Sequence, residues 1–213
     1  MKKKSLSEKT CSNNNSQKVF TNIYKKGIWG KNENGRNYSG IGSTIRNTSF
    51  YIIFMEHFIR SNNIRSVLDV GCGDWSFSKY MDWKGISYLG VDVVKSIVIR
   101  NKKEFSQNNI KFSHIDAVNS DLPPADLMIC KDVLQHLSYQ DIKLFLKQIT
   151  KFKYCLITND IDPKSQSNNS DITTGGYRPL DLTKKPFNLN GIKIFTYRSN
   201  LLKQVLLLEN TSL

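Results

Sequence analysis

Val67-Leu68-Asp69-Val70-Gly71-Cys72-Gly73-Asp74-Trp75 reads as a buried strand that runs into a glycine turn. A short β-branched run bounded by glycines is a strand signal, and glycines at its end let a ligand approach the backbone. The pattern then predicts a helix over 75–82, whose first N–H groups are free to meet an anion or carboxylate. The next strand ends Gly90-Val91-Asp92-Val93. Its carboxylate stands where, in open α/β sheets, an acidic side chain takes the hydroxyls of a ribose.

Outward from this stretch, short strand-like runs at 66–70, 86–93, 110–115, 125–130 and 153–159 alternate with helical patterns at 75–82, 95–107 and 139–150. Such alternation implies parallel strands joined by right-handed crossovers, hence an open α/β sheet. The runs at 191–199 and 202–210 are too close together for a crossover helix and predict an antiparallel hairpin at the carboxyl end. Residues 47–61 are apolar nearly all round and predict a helix packed on two sides, started by Asn47 or Thr48. The polar residues 1–18 read as a disordered tail, the glycine-broken aromatic stretch 19–46 as a lid, and 47–213 as one domain. A polar segment from 160 to 190 is long enough to be functional and is expected to frame an acceptor pocket.

The 213 residues include 31 Lys+Arg and 18 Asp+Glu, a formal charge of +13. That charge invites a nucleic-acid reading, yet the basic residues are scattered and never form a run of five or six. No stretch approaches the roughly 18 apolar residues of a membrane span, and the amino end lacks the apolar core of a signal peptide, so a cytoplasmic protein is expected. Cys11, Cys72, Cys130 and Cys155 form no C-x-x-C pair. They read as reduced thiols, with no metal site.

A dinucleotide site is the competing reading of the glycine turn, but it wants a third glycine where this chain has Ser76. The motifs VLDVGCGDW, GVDVV and HIDAVNSDLPPADLMICKDVLQHLS, with the terminal hairpin, resemble in this order the class I S-adenosylmethionine-dependent methyltransferases over residues 47–213. KDVLQHL and the aromatic amino segment look like the small bacterial or viral enzymes that methylate metabolites and surface-polysaccharide precursors. The resemblance implies a Rossmann-like, mostly parallel sheet with S-adenosylmethionine as cofactor and S-adenosylhomocysteine as product. It places Asp69, Gly71, Cys72 and Gly73 at the methionine end, Asp92 at the ribose, Val93 against the adenine, and Asp116 with the Ala117 backbone at the adenine amino group. Lys131 falls in the segment that lines the sulfonium pocket.

Methyl transfer from an activated sulfonium depends mainly on alignment, and a base is needed only for a protonated acceptor. For an alcohol the candidates are His136 and Asp132, on a helix after the fourth strand. An anionic acceptor would instead need cations to orient it, for which Arg178 beside Tyr177, Arg46, Lys131 and Lys184 are available. Trp29, Tyr38 and the run 39–44 are candidates to fold over the site. The leading expectation is O-methylation of a small, polar, anionic metabolite such as a sugar, nucleotide-sugar or phosphoryl compound. An RNA or DNA methyltransferase is the alternative, disfavoured by KDVL in place of an N/D-P-P-Y/F tetrad. A non-catalytic binding protein on the same scaffold is the second alternative.

Overall fold

The computed structural model describes residues 13–164 and 169–210. Residues 1–12, most of the expected tail together with Cys11, lie outside the described residues. Among the described residues seven strands form one sheet: β1 (Ser66–Val70), β2 (Ser87–Asp92), β3 (Ile110–His114), β4 (Leu127–Lys131), β5 (Tyr154–Asp160), β6 (Ile192–Arg198) and β7 (Leu202–Glu209). Their order is β3-β2-β1-β4-β5-β7-β6. The first five pair in parallel, and β7 runs antiparallel to both β5 and β6. This is the open α/β sheet that the alternation of runs predicts, ended by the hairpin that the spacing of the last two runs predicts, in the Rossmann-like form that the resemblance implies.

Among the described residues four helices flank the sheet: α1 (Asn13–Lys26), α2 (Ile45–Ser61), α3 (Lys95–Phe105) and α4 (Tyr139–Leu146). Both faces are covered, so the strands are apolar on both sides. Along β4, Leu127 and Ile129 pack toward α2, whereas Met128 and Cys130 join the core under α1 and α4. α2 begins at Ile45 with Thr44 as its cap, three residues before Asn47 and four before Thr48; Asn47 instead donates to the Ile41 carbonyl at 2.9 Å.

Three elements depart from the sequence reading. Residues 13–18, assigned to the tail, belong to α1, whose Ser16, Phe20, Ile23 and Tyr24 are buried at helical spacing. The helix expected over 75–82 is reduced to a single 3-10 turn, Ser78–Tyr80. Trp75 holds a left-handed φ of 56° and turns its ring inward against Tyr88, Phe105 and Phe112, while the Trp83 indole donates to the Ser78 carbonyl at 2.8 Å. Large aromatics thus fill the space that a crossover helix would cover. Finally, the helix expected over 139–150 stops at Leu146 and gives way to a 3-10 turn at Ile149–Lys151.

Strand order reverses between β1 and β4, and ligand crevices of open α/β sheets open at the carboxyl ends of strands at such a point. Gly71 (φ 71°) follows β1 there, and a Cβ on it would stand 2.3 Å from Cγ2 of Val133, which follows β4. We expect Gly71→Ala to lower unfolding stability by roughly 1–3 kcal/mol through strained backbone and overpacking. Urea denaturation checks this, and an unchanged midpoint would show that the two turns separate freely.

Candidate active site

A cavity of about 320 Å3 opens at this crossover. Its floor is the turns after β1, β2, β3 and β4; its roof is α1, Trp29 and residues 39–43. The roof is attached by polar contacts. Ser39 donates to Asp74 Oδ1 at 2.7 Å and accepts the Asp74 backbone N–H at 2.8 Å, with the Tyr24 hydroxyl 2.7 Å away. A Cβ at Gly73 (φ 54°) would lie 2.3 Å from that serine oxygen, so only glycine admits the contact. Ser76 donates to the Ser43 carbonyl and Lys131 to the Gly42 carbonyl.

At the end of β2, the buried Asp92 accepts the Gly73 N–H at 3.0 Å and the Val94 N–H at 2.8 Å, one on each oxygen. Burial raises its pKa, against the pull of the Val94 and Gly73 bonds. Each oxygen keeps a lone pair for a ligand hydroxyl. Val93, Ile115 and Ala117 continue the wall. Asp116 also lines the cavity and accepts from the Val118 N–H and the Asn119 amide, while Gln148 holds the Ala117 carbonyl at 2.7 Å. Asn101, fully buried on α3, donates to the Gly73 carbonyl at 2.7 Å and fixes the glycine turn from below. Cys72 is buried beside it, its thiol raised by burial and by Asp92.

The other end of the cavity holds four charges, Lys203 and Asp160 buried and Lys131 and Asp132 half-buried. Lys131 contacts Asp132 at 2.5 Å, and Lys203 of β7 bridges Asp132 at 2.9 Å and Asp160 at 2.6 Å. Lys131 also sits over the rings of Tyr51 and Phe77, 5.6 and 5.3 Å from their centroids. Burial lowers the Lys131 pKa despite Asp132. Burial also opposes the Asp132 charge, but Lys131 and Lys203 outweigh it and hold its carboxyl below the ordinary range. Asp132 is not helical; it takes a left-handed φ of 58°, and His136 ends a 3-10 turn rather than lying on an α-helix.

His136 forms part of an aromatic wall, its ring 5.4 Å from Trp29 and 5.8 Å from Tyr177. Its Nδ1 is 2.7 Å from the Gly176 carbonyl. A carbonyl only accepts, so Nδ1 carries the proton and Nε2 the free lone pair. Burial lowers the imidazole pKa, against the Gly176 bond. The long 160–190 segment brings this wall together: Gly175 N–H donates to the His136 carbonyl, Arg178 N–H to that of Gln135, and the Tyr177 hydroxyl to Asp160.

Five sequence-based assignments do not reach the cavity. Asp69 lies behind the glycine turn, bonded by the Tyr88 hydroxyl at 2.5 Å, and burial pushes its carboxyl up to about 7. Arg178 is buried with its guanidinium turned inward, donating to the Gln135 carbonyl at 3.1 Å and facing the Tyr139 ring. Arg46 is exposed on the first turn of α2, Lys184 is exposed on the long loop, and the Tyr38 ring packs over Gly30 outside the site. Conversely, sequence reading missed Lys203 and Asp160. The signal was present: Lys203, Val205 and Leu207 share strand parity, so the lysine faces inward with two core residues. Among the described residues no cluster of His, Cys, Asp or Glu is arranged to hold a metal.

Residues 67–152, from β1 to the turn before β5, match the family described as a methyltransferase domain. No curated protein sequence matches the chain. Among solved structures it is similar to the N-methyltransferase NodS from Bradyrhizobium japonicum in complex with S-adenosylhomocysteine, with a TM-score of 0.64 and 11% identity over 89% of this chain and 99% of that one. It is also similar to magnesium protoporphyrin IX methyltransferase from Synechocystis with bound S-adenosylhomocysteine (TM-score 0.60, 13% identity, 90% and 98% covered). Human N-acetylserotonin methyltransferase with S-adenosylmethionine gives a TM-score of 0.55 at 15% identity over 91% of this chain. The chain spans 59% of that human chain and 65% of the bacterial CtHen1 methyltransferase domain. At these identities the likeness is one of fold. Its central residues match a methyltransferase domain, and its fold is that of class I S-adenosylmethionine-dependent methyltransferases.

Proposed function

We propose that the chain binds S-adenosylmethionine in the 320 Å3 cavity and methylates a hydroxyl oxygen of a small polar metabolite, a sugar being the acceptor that suits the site best. The supporting observation is the pairing of a glycine turn and Asp92 at one end of a single cavity with a neutral imidazole at the other. When bound, the cofactor supplies a methyl group already activated on a sulfonium. The residues present fit it. The turn at Gly71, Cys72 and Gly73 leaves backbone free for the methionine end, and Asp92 has lone pairs for two ribose hydroxyls. Val93, Ile115 and Ala117 offer an apolar slot for the base, with Asp116 at its edge. Residues 39–43 act as the lid and exclude water.

At the acceptor end, charge balance favours a neutral nucleophile. Arg46, Arg178 and Lys184 lie off the cavity, and Lys131 and Lys203 are matched by Asp132 and Asp160. A phosphoryl dianion would meet as many carboxylates as ammonium groups there. A sugar presents hydroxyls that both donate and accept, and C–H faces that pack on rings such as Trp29 and Tyr177. His136 then has a defined task, to take the hydroxyl proton on Nε2 as the oxygen becomes a nucleophile. Lys131 does not oppose the sulfonium as an isolated charge, since Asp132 neutralises it.

Calorimetric titration with S-adenosylhomocysteine tests the cofactor half. Wild-type protein should bind it and Asp92→Ala should bind it more than about tenfold more weakly, because hydrogen bonds to a carboxylate are worth roughly 1.5–3 kcal/mol. Equal affinities would misplace the ribose. The acceptor half is tested by turnover against pH. The depressed His136 pKa keeps the base neutral at pH 7, so kcat/KM should fall only as pH drops through a value below the ordinary imidazole pKa of about 6.5. His136→Ala should lower kcat on the order of 10²-fold and abolish that acid limb; a retained limb would assign the base elsewhere.

A further inference from the structure

Arg178 is a buried cation without an opposite charge. It is 4% exposed, its Nε and Nη2 have no hydrogen-bond partner, and it joins no ion pair among the described residues. Asp171 acts on it only through space, since its Oδ1 is taken by the Tyr139 and Ile172 N–H groups. A guanidinium removed from water in this way opposes stability. Nor does the backbone require it. Its Nη1 donates to the Gln135 carbonyl at 3.1 Å and reaches that of Leu134 at 3.5 Å. Both carbonyls already have backbone donors, the Arg178 N–H at 3.2 Å and the Leu137 N–H at 3.1 Å.

What the side chain does hold lies on both sides of His136. Gln135 precedes the histidine, and Tyr139, whose ring centroid is 5.7 Å from the Arg178 Cζ, follows it by three residues. In its own segment Arg178 adjoins the groups that meet the imidazole. The Gly176 carbonyl is 2.7 Å from Nδ1, and the Tyr177 ring is 5.8 Å from the histidine ring. Residues 175–178 are therefore fastened to the turn Leu134–His136 at two ends, by the Gly175 N–H on the His136 carbonyl and by Arg178 on that of Gln135. Slack at either end would let the Gly176 carbonyl leave Nδ1. A neutral imidazole without that acceptor can carry its proton on either nitrogen.

We propose that Arg178 is a positioning residue for methyl transfer: it anchors the loop so that the Gly176 carbonyl keeps the His136 proton on Nδ1 and leaves Nε2 to receive the proton of the acceptor. Arg178 lies off the cavity and acts only through the loop and the turn. A planar guanidinium suits this task, because its edge donates to carbonyls while its face rests on an aromatic ring. The unpaired charge is retained for geometry at the expense of stability. This inference rests on the reading of His136 as the base.

Arg178→Met keeps much of the side chain's length and removes the guanidinium. Nitrogen-15 NMR of the full chain with labelled histidine, at about pH 8 where the imidazole is neutral, reads the His136 tautomer without turnover; loss of its signals in His136→Ala assigns them. The wild type should carry the proton on Nδ1, and Arg178→Met should carry it partly or wholly on Nε2. The melting temperature should be unchanged or higher, because an apolar chain replaces an unpaired buried charge. Affinity for S-adenosylhomocysteine should be unchanged, and kcat should fall by about tenfold or more through misalignment of the base. A variant that keeps the Nδ1 proton would overturn the proposal. So would one that fails to fold or melts several degrees lower, which would make the guanidinium a structural element only. A shifted tautomer beside full turnover in His136→Ala would refute the base and leave the anchoring role standing. An unshifted tautomer beside a loss on the order of 10²-fold in His136→Ala would refute the role of Arg178 alone.

Discussion

The Asp92 carboxylate organises the crevice because it joins two turns that belong to different strands. It accepts the Gly73 N–H from the turn after β1 and the Val94 N–H from its own, so the glycine turn is held against the end of β2. Asn101 adds a bond to the Gly73 carbonyl from below, and Ser39 reaches the adjacent Asp74 from above. Three separate regions of the chain therefore converge on two residues, 73 and 74. A carboxylate buried at this point costs desolvation, and its bonds to backbone N–H groups offset part of that cost.

The other end of the cavity solves a related problem differently. Lys131, Asp132, Lys203 and Asp160 are all largely removed from water, which for any one of them alone would be strongly unfavourable. Their alternating arrangement gives each charge an opposite neighbour within 3 Å. Removing Asp132 would leave Lys131, and removing Lys203 would leave Asp160, without its opposite charge, so the two inner members resist change most. It also ties the antiparallel β7 to the turn after β4, which makes the terminal hairpin part of the site rather than an appendage.

Much of this was legible in the sequence because it depends on local pattern. The strand over 66–70, the turn at Gly71 and Gly73, and Asp92 at the end of the next strand follow from composition and spacing over short distances. The residues misread were those whose roles depend on side-chain direction. Arg178 sits among glycines in a polar loop, as an acceptor-binding residue would, yet its guanidinium joins its own backbone N–H on the carbonyl of Gln135, more than forty positions away. Lys203 was overlooked for the opposite reason, since a lysine at the start of a strand ordinarily marks a solvated end. The helix expected after β1 failed because pattern alone cannot register that Trp75 and Trp83 already fill its place.

Those two indoles have a spectroscopic consequence. The chain has three tryptophans: Trp75 and Trp83 are buried against β2 and its neighbours, whereas Trp29 lines the cavity and touches His136. Intrinsic fluorescence therefore carries two separable signals in one molecule. The buried pair reports whether the sheet is intact, and the third indole reports what occupies the crevice.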